Sequence, residues 1–220
     1  MIDFDEMINN YLKREERKKQ IGRYYPSEIG GCLRKIWFSY KFPKKLDPET
    51  IKIFEMGNIL HEFVVDVLKS EKNPHIELKE AEKPFKMEIN GFTISGRIDN
   101  IIFLKSDNET VLVEVKSTSD VDNLVKAKKE HQMQLQLYMF AINIRKGLLL
   151  YLDKKKLRSK VFTVKYDELE ALHALERFST LHKHLTSGKV PIAEAKKHPR
   201  KSWLCNYCEY KKLCGEYENE

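Results

Sequence analysis

The sequence has little that would place it in or across a membrane. Its apolar runs fall well short of the roughly 18 residues that a spanning helix needs. The first five residues, Met1–Asp5, are acidic and lack the basic start of a secretory signal. Internal repeats and low-complexity linkers are also missing. We therefore expect a cytoplasmic protein that is neither membrane-bound nor secreted.

Cysteine is scarce, with 4 residues in a chain of 220. Disulfide frameworks are typical of small secreted proteins, so this chain does not fit that class. Cys205, Cys208 and Cys214 crowd together near the end of the sequence, whereas Cys32 lies far upstream. In a reducing cytosol this spacing indicates a metal or cluster site.

The arrangement of the cysteines favours an iron–sulfur cluster. One isolated cysteine with a clustered triad fits a cubane cluster, in which each iron takes one thiolate. A zinc ribbon more often carries two paired Cys-x-x-Cys motifs, although zinc accepts the same ligands. A two-iron cluster, zinc and four buried thiols therefore remain as alternatives.

The abundant residues are apolar, at 41%, and charged, at 33%, which suits a folded domain with a core. The net charge of +7 favours a polyanionic partner, although lysine- and glutamate-rich surfaces also occur in thermophiles. Tyr24, Tyr25, Trp37 and Trp203 could stack on unpaired bases, although core packing is the expected role for the two tryptophans. The basic residues that could contact phosphates are grouped at Lys13-Arg14, Arg17-Lys18-Lys19, Lys126, Lys128-Lys129, Lys154-Lys155-Lys156, Lys196-Lys197 and Arg200-Lys201.

Apolar spacing and turn residues predict a mixture of helices and strands. Asp47-Pro48 is typical of a helix start, and Asn90-Gly91 is the preferred two-residue hairpin turn. The helix that starts at Asp47-Pro48 carries an apolar stripe, formed by Ile51, Phe54, Ile59, Phe63 and Val67. We further expect a polar helix over residues 3–20, strands over 85–89, 92–96, 111–116, 147–153 and 160–166, a long helix over 122–145, and a helix capped by Asp167.

The most informative stretch is Gly96-Arg97-Ile98-Asp99, followed by Glu114-Val115-Lys116 on the next strand. Residues two apart on a strand share a face, so Glu114 and Lys116 project together. Two carboxylates meeting at one point repel each other, and a hard divalent cation such as Mg²⁺ or Mn²⁺ relieves the repulsion. Such a cation assists phosphodiester hydrolysis, and Lys116 could orient the attacking water.

A solvated salt bridge is the alternative interpretation of these charged residues. The flanking residues are apolar, however, and indicate central strands where unpaired charges are rare. On the following helix, Gln134 and Tyr138 are four residues apart, and His131 lies three before Gln134. All three share roughly one helix face, which could line a cleft.

These motifs resemble the PD-(D/E)xK nuclease superfamily, and more narrowly its RecB-like branch. Ile98 replaces the proline of the superfamily's name, and Gly57-x-x-x-His61 and Gln134-x-x-x-Tyr138 are similar to two further motifs of the branch. The resemblance implies an α/β, restriction-endonuclease-like fold with a mixed central sheet flanked by helices. It also implies that Lys116 positions water, that Gln134 and Tyr138 organise the site, and that the metal ligands are His61, Asp99, Glu114 and the carbonyl of Val115.

One cysteine before this core and three after it are similar to the iron–sulfur group of RecB-like nucleases. Within that group, the stretch 27–38 and the compact size most resemble the CRISPR-associated exonuclease family, the fourth in its numbered series. This resemblance implies a 4Fe-4S cluster on Cys32, Cys205, Cys208 and Cys214. It also implies a metal-dependent deoxyribonuclease that digests single-stranded DNA ends and processes fragments for CRISPR spacer acquisition, beside the CRISPR integrase complex.

We accordingly expect one nuclease domain over residues 1–220. Its nuclease core would span 46–190, and the segments 1–45 and 191–220 would form a cap bound by the iron–sulfur cluster. Two other functions remain open. One is a stand-alone repair, recombination or viral nuclease with the same chemistry, and the other is a non-catalytic iron–sulfur module that binds DNA ends.

Overall fold

The structure, a computed structural model, describes residues 2–13, 19–199 and 201–217. Within those ranges no helix is long and apolar enough to cross a membrane. Two short 3₁₀ helices cover Pro26–Glu28 and Ser202–Tyr207. The helices are α1 (Phe4–Leu12), α2 (Leu33–Lys41), α3 (Pro48–Lys69), α4 (Lys129–Ile142), α5 (Glu168–Ser187), α6 (Glu194–Lys197) and α7 (Lys211–Glu216). The strands are β1 (Arg23–Tyr24), β2 (Ile76–Ile89), β3 (Phe92–Leu104), β4 (Glu109–Thr118), β5 (Lys146–Asp153) and β6 (Ser159–Lys165).

The strands form one mixed sheet, as predicted. β2 and β4 both run antiparallel to β3, β5 runs parallel to β4, and β6 runs antiparallel to β5. The short β1 runs parallel to β3 at Thr93 and Ile94. β4 pairs with β3 only along residues 100–104 of β3. The edge of β3 between those two contacts is therefore left open in the described structure, and Asp99 lies there.

The hairpin between β2 and β3 turns at Asn90 and Gly91, as the sequence predicts. Both residues adopt positive φ angles, 43° and 88°. This turn sets the register of the two strands, because Ile89 pairs directly with Phe92. Both strands continue well beyond the predicted spans, and Asp99 consequently lies within β3.

Helices cover both sides of the sheet. Leu60 and Val64 of α3 pack in one apolar cluster with Val113 and Val115 of β4. The other, larger cluster contains α2, α4 and α5. The predicted apolar stripe of α3 is not the buried face of that helix, since Phe54 and Ile59 are more than half exposed.

Several predicted boundaries and roles are wrong. The first helix ends at Leu12, with residues 14–18 outside the described ranges, and α4 starts at Lys129 instead of residue 122. Tyr24 is fully buried among other rings, so it cannot stack on a base. Trp203, for which core packing was the expected role, is 56% exposed, whereas Trp37 lies in the core.

Candidate active site

Asp99 and Glu114 lie on neighbouring strands with their carboxylates buried, at 7% and 2% residue exposure. The last paired residues of β3 and β4 on this side are Asn100 and Val113, so the two acids occupy the next row. The Val115 N–H donates to Asp99 Oδ2 at 2.7 Å. A side chain thus replaces the backbone hydrogen bond at the point where the strands separate.

Lys116 and Gln134 hold one oxygen of Glu114. Glu114 Oε1 accepts from Lys116 Nζ at 2.7 Å and from Gln134 Nε2 at 2.6 Å. Gln134 Oε1 accepts in turn from Lys116 Nζ at 2.9 Å, which closes a triangle of hydrogen bonds between β4 and α4. The hydroxyl of Tyr138 lies 3.5 Å from Gln134 Nε2. The four side chains are therefore fixed relative to one another.

The second oxygen of Glu114 is buried and has no hydrogen-bond partner among the described residues. A buried carboxylate oxygen without a partner is costly, and it is accounted for where a cation or water completes the site. Hard divalent cations take carboxylate and carbonyl oxygens as ligands. The donor set of Glu114 and Asp99 therefore fits Mg²⁺ or Mn²⁺.

The pKa values of Asp99 and Glu114 also indicate a cation site. Burial raises the pKa of Asp99 to about 7, although the positive charge of Lys116 acts to lower it. Burial, reinforced by the charge of Asp99, likewise raises the pKa of Glu114 to about 7. Without a cation the pair therefore tends to hold a proton near neutral pH, and a bound divalent cation would displace it.

Lys116 and Tyr138 both keep their protons at neutral pH. Burial on its own lowers the pKa of Lys116, but the carboxylates of Glu114 and Asp99 outweigh it and the pKa is raised. Burial and the charge of Glu114 raise the pKa of Tyr138. Lys116 is thus a charged donor, and Tyr138 a neutral hydroxyl.

His61 reaches the site from α3. Its Nδ1 lies 3.6 Å from Asp99 Oδ1 and 3.9 Å from an oxygen of Glu82 on β2. Burial lowers the pKa of His61, so the ring tends toward the neutral form that binds metals. Glu82, which belongs to none of the sequence motifs, joins His61 and Asp99 in a group whose ligand atoms all lie within 4.8 Å of one another. Glu114 does not belong to that compact group.

His131 does not join the site, although it shares a helix with Gln134. Its Nδ1 lies 2.8 Å from the hydroxyl of Tyr151, and burial lowers its pKa to about 3.

Gly96 lies in close contact with two other residues beside the site. A Cβ at this position would lie 3.0 Å from the Tyr138 hydroxyl and 3.2 Å from Pro26 Cδ, so a larger residue would have to push both neighbours aside.

Two open cavities meet at these residues. The first, about 800 Å³, contains six of the predicted site residues: His61, Asp99, Glu114, Lys116, Gln134 and Tyr138. The second, about 860 Å³, shares Tyr25, Gly96 and Arg97 with it. Arg23 and Lys86 also line the second cavity, and no carboxylate does so among the described residues. The predicted basic groups do not line either cavity within the described ranges.

All four cysteines line a third cavity, of about 220 Å³, between α2 and the C-terminal segment. Burial and the neighbouring thiols of Cys32, Cys208 and Cys214 raise the pKa of Cys205. No three of the four sulfurs come within 4.8 Å of one another. Because all four cysteines line this one cavity, the fold places Cys32 close to Cys205, which lies 173 positions further along the chain.

Buried carboxylates beside a lysine, where two central strands of a mixed sheet separate, are typical of enzymes that hydrolyse phosphodiester bonds with a divalent cation. Comparison with known families gives the same class. Residues 33–215 match the profile of the PD-(D/E)XK nuclease superfamily, and the chain belongs to this superfamily. The predictions of a nuclease and of its fold are thereby confirmed.

One protein of similar sequence and two solved structures of similar fold are more specific than the superfamily match. The chain is 26% identical to the CRISPR-associated exonuclease Cas4 of Saccharolobus solfataricus over 94% of its own length and 98% of that protein. The crystal structure of SSO0001 superposes with a TM-score of 0.61 at 21% identity, covering 96% of each chain. A phage-related exonuclease from Haemophilus somnus 129PT gives 0.53 at 15% identity, covering 82% of this chain and 97% of that one.

Proposed function

We propose that this protein is a metal-dependent exonuclease that digests single-stranded DNA ends, and that it processes DNA fragments for CRISPR spacer acquisition. The observation that carries the proposal is the buried pair of Asp99 and Glu114 beside the partly buried Lys116, at the wall of an open cavity. A pure DNA-binding module has no need of two buried carboxylates with raised pKa values. The similarity to a CRISPR-associated exonuclease supports the biological role.

The residues divide the chemistry between them. Asp99, Glu114 and His61, with the carbonyl of Val115, would hold Mn²⁺ or Mg²⁺, which when bound lowers the pKa of water and offsets charge on the phosphate. Lys116 remains protonated, so it positions the nucleophilic water as a hydrogen-bond donor and does not act as a base. Gln134 keeps Glu114 and Lys116 in place, and the neutral hydroxyl of Tyr138 donates to substrate oxygen.

The second cavity supports a single strand as the substrate. Arg23, Lys86 and Arg97 supply positive charge for phosphates, and the partly exposed Tyr25 supplies a ring on which an unpaired base stacks. The cavity shares Arg97 and Gly96 with the active site, so a strand lying in it would lead to Asp99. Binding of such a strand should weaken steeply with salt.

We also propose that Cys32, Cys205, Cys208 and Cys214 hold a 4Fe-4S cluster. A single tetrahedral zinc would draw its sulfurs to within about 4 Å of one another, given Zn–S bonds of about 2.3 Å. The wider separation of the sulfurs and the cavity between them favour a cluster. In this proposal the cluster binds segments 1–45 and 191–220 as a cap on the nuclease core, residues 46–190, of one domain.

The test of the nuclease uses single-stranded DNA labelled at either the 5′ or the 3′ end, with Mn²⁺, Mg²⁺ or EDTA. Glu114→Ala should abolish cleavage and leave DNA binding intact. Glu109→Ala is the matched control, because Glu109 lies on the same strand and pairs with Lys146 away from the cavity. The label released first gives the polarity of digestion.

The outcomes separate the competing functions. Cleavage that persists in Glu114→Ala would contradict the site assignment. Tight binding without cleavage in any metal would indicate a module that holds DNA ends. Co-purification with the CRISPR integrase, and loss of spacer acquisition with Glu114→Ala, would support the CRISPR role. Full activity without any effect on acquisition would indicate a stand-alone repair or viral-type nuclease.

A further inference from the structure

Glu82 lies on β2 directly opposite Asp99. The pairs Ala81 with Asn100 and Lys83 with Ile98 flank this position in the β2–β3 ladder. Residues opposite each other on antiparallel strands share a face. Glu82 also adopts a φ of 50° in the middle of a strand, a conformation that is rare for a residue with a side chain.

Its carboxylate faces the metal ligands of the proposed active site. Glu82 Oε1 lies 3.9 Å from His61 Nδ1, which itself lies 3.6 Å from Asp99 Oδ1. Around one cation with bonds of about 2.1 Å, neighbouring ligand atoms are about 3 Å apart and opposite ones about 4.2 Å apart. The group of His61, Glu82 and Asp99, contained within 4.8 Å, has that size.

A second feature of the same cavity points independently to a cation. Glu114, which is 2% exposed, has a buried oxygen without a hydrogen-bond partner, and it lines the cavity together with Glu82. Arg97 meanwhile pairs with the other oxygen of Glu82 at 3.2 Å. The ion pair orients the Glu82 carboxylate and leaves Oε1 directed toward His61.

We propose that Glu82 is a further ligand of the divalent cation centre, on its solvent side. The inference rests on the proposed metal-dependent function. It adds a third carboxylate to Asp99 and Glu114. Glu82 is partly exposed, so it is the ligand that solvent and substrate reach first.

The test measures binding of Mn²⁺ to metal-free protein without substrate, by the loss of the free-ion signal in electron paramagnetic resonance. Glu82→Gln should weaken binding at least tenfold. Glu80→Gln is the matched control, since Glu80 lies on the same strand and pairs with Lys83. That variant should bind Mn²⁺ like the wild type.

A second variant separates a ligand from a structural ion pair. Arg97→Met removes the partner of Glu82 but leaves its carboxylate available, so affinity for Mn²⁺ should change by less than threefold. Unchanged affinity in Glu82→Gln, or an equal loss in Arg97→Met, would overturn the proposal. Wild-type protein that binds no Mn²⁺ would overturn the proposed function as well. Wild-type binding and cleavage with an unaffected Glu82→Gln variant would overturn this inference alone.

Discussion

Two buried glutamines on α4 illustrate how neighbouring residues serve different purposes. Gln134 makes its hydrogen bonds with Glu114 and Lys116 in the candidate active site. Gln136 instead donates to the carbonyl of Lys165 and accepts from the N–H of Asp167, which fixes the link between β6 and α5. Both are nearly inaccessible to solvent, so burial alone does not distinguish them.

We expect Gln134→Leu to reduce cleavage by about 100-fold, because losing one well-placed polar contact in an active site costs about 2.7 kcal/mol or more. Gln136→Leu should instead lower the free energy of unfolding by about 1–3 kcal/mol, since it removes two hydrogen bonds to the backbone, each worth about 0.5–1.5 kcal/mol. Steady-state cleavage and urea unfolding of both variants check this. Equal effects of the two substitutions on cleavage would contradict the separate roles.

The pKa values of the acidic pair predict how metal binding depends on pH. Asp99 and Glu114 have pKa values raised to about 7 in the absence of metal, so both tend to be protonated at pH 6 and must release protons to bind a cation. The apparent Kd for Mn²⁺ should therefore rise as pH falls below about 7, by about tenfold per unit for each proton displaced.

Titration of the metal-free protein with Mn²⁺ at several pH values, in two buffers of different ionisation enthalpy, measures both the affinity and the protons released. Glu114→Gln serves as the comparison, because it removes one of the two titrating groups. A Kd independent of pH between 5.5 and 8 would contradict the raised pKa values.

The sequence motifs pointed to six residues that line the candidate site but not to Glu82, which also lines it, although the information was present. Asn90-Gly91 predicts a two-residue hairpin whose first pair is Ile89 with Phe92. Counting outward through the ladder from that pair brings Glu82 opposite Asp99. The predicted strands covered only residues 85–89 and 92–96, so Glu82 and Asp99 both lay outside them and this count was not made. His131 shows the opposite error, since its helical spacing suggested a place in the cleft and its ring turns to Tyr151.

At the scale of elements, the turn after Pro26–Glu28 packs directly against the first turn of α4. A Cβ at Gly30 would lie 2.4 Å from Glu130 Cα, which is backbone and cannot move aside. Gly215, by contrast, lies in α7 with no atom within 4 Å of the corresponding position. The two glycines therefore differ in what surrounds them.

We expect Gly30→Ala to lower the free energy of unfolding by about 1–3 kcal/mol, since overpacking forces the backbone to shift. Gly215→Ala should raise it by up to about 1 kcal/mol, because alanine is the better helix former. The change in the unfolded chain is the same for both, so their difference reports the native contact. Urea unfolding measures it, and equal free energies for the two variants would exclude the steric account.

Helix starts were predictable where a capping residue marks them. Asp47 accepts from the Thr50 N–H, and Asp167 accepts from the N–H groups of Leu169 and Glu170, as expected. The start of α4 was not predictable in this way, because residues 122–128 have the apolar spacing of a helix yet form a loop. Their backbone is used elsewhere, with the Lys128 N–H donating to the hydroxyl of Tyr151. Tertiary contacts of this kind are not visible in local sequence.

At the scale of the whole molecule, Arg177 of α5 connects the N-terminal and C-terminal segments to the helices of the core. Its guanidinium donates to the carbonyls of Ile29 and Gly31 and to the carboxylate of Glu194. Glu194 also accepts from the N–H of Leu33, next to Cys32. These contacts hold the cysteine-bearing segments in place independently of any cluster.

We therefore expect Arg177→Met to lower the free energy of unfolding by about 3 kcal/mol, because it leaves Glu194 partly buried without its charged partner. Burial raises the pKa of Glu194, but the hydrogen bonds from Arg177 and from the Leu33 N–H, together with the charge of Arg177, outweigh burial and lower the pKa. The stability from this pair is then present above the ordinary pKa of about 4.3 and disappears as pH falls through the lowered value. The difference between wild type and variant should accordingly shrink below about pH 4.

Urea unfolding at pH 7 and pH 3.5 tests this, with Lys183→Met as the control because it removes a lysine from the exposed face of the same helix. The control should unfold like the wild type at both pH values. Arg177→Met combined with Glu194→Gln should lose less than the sum of the two single effects, as expected for groups in direct contact. Additive effects, or a difference that persists at pH 3.5, would mean that Arg177 stabilises the protein through packing of its stem and not through its charge.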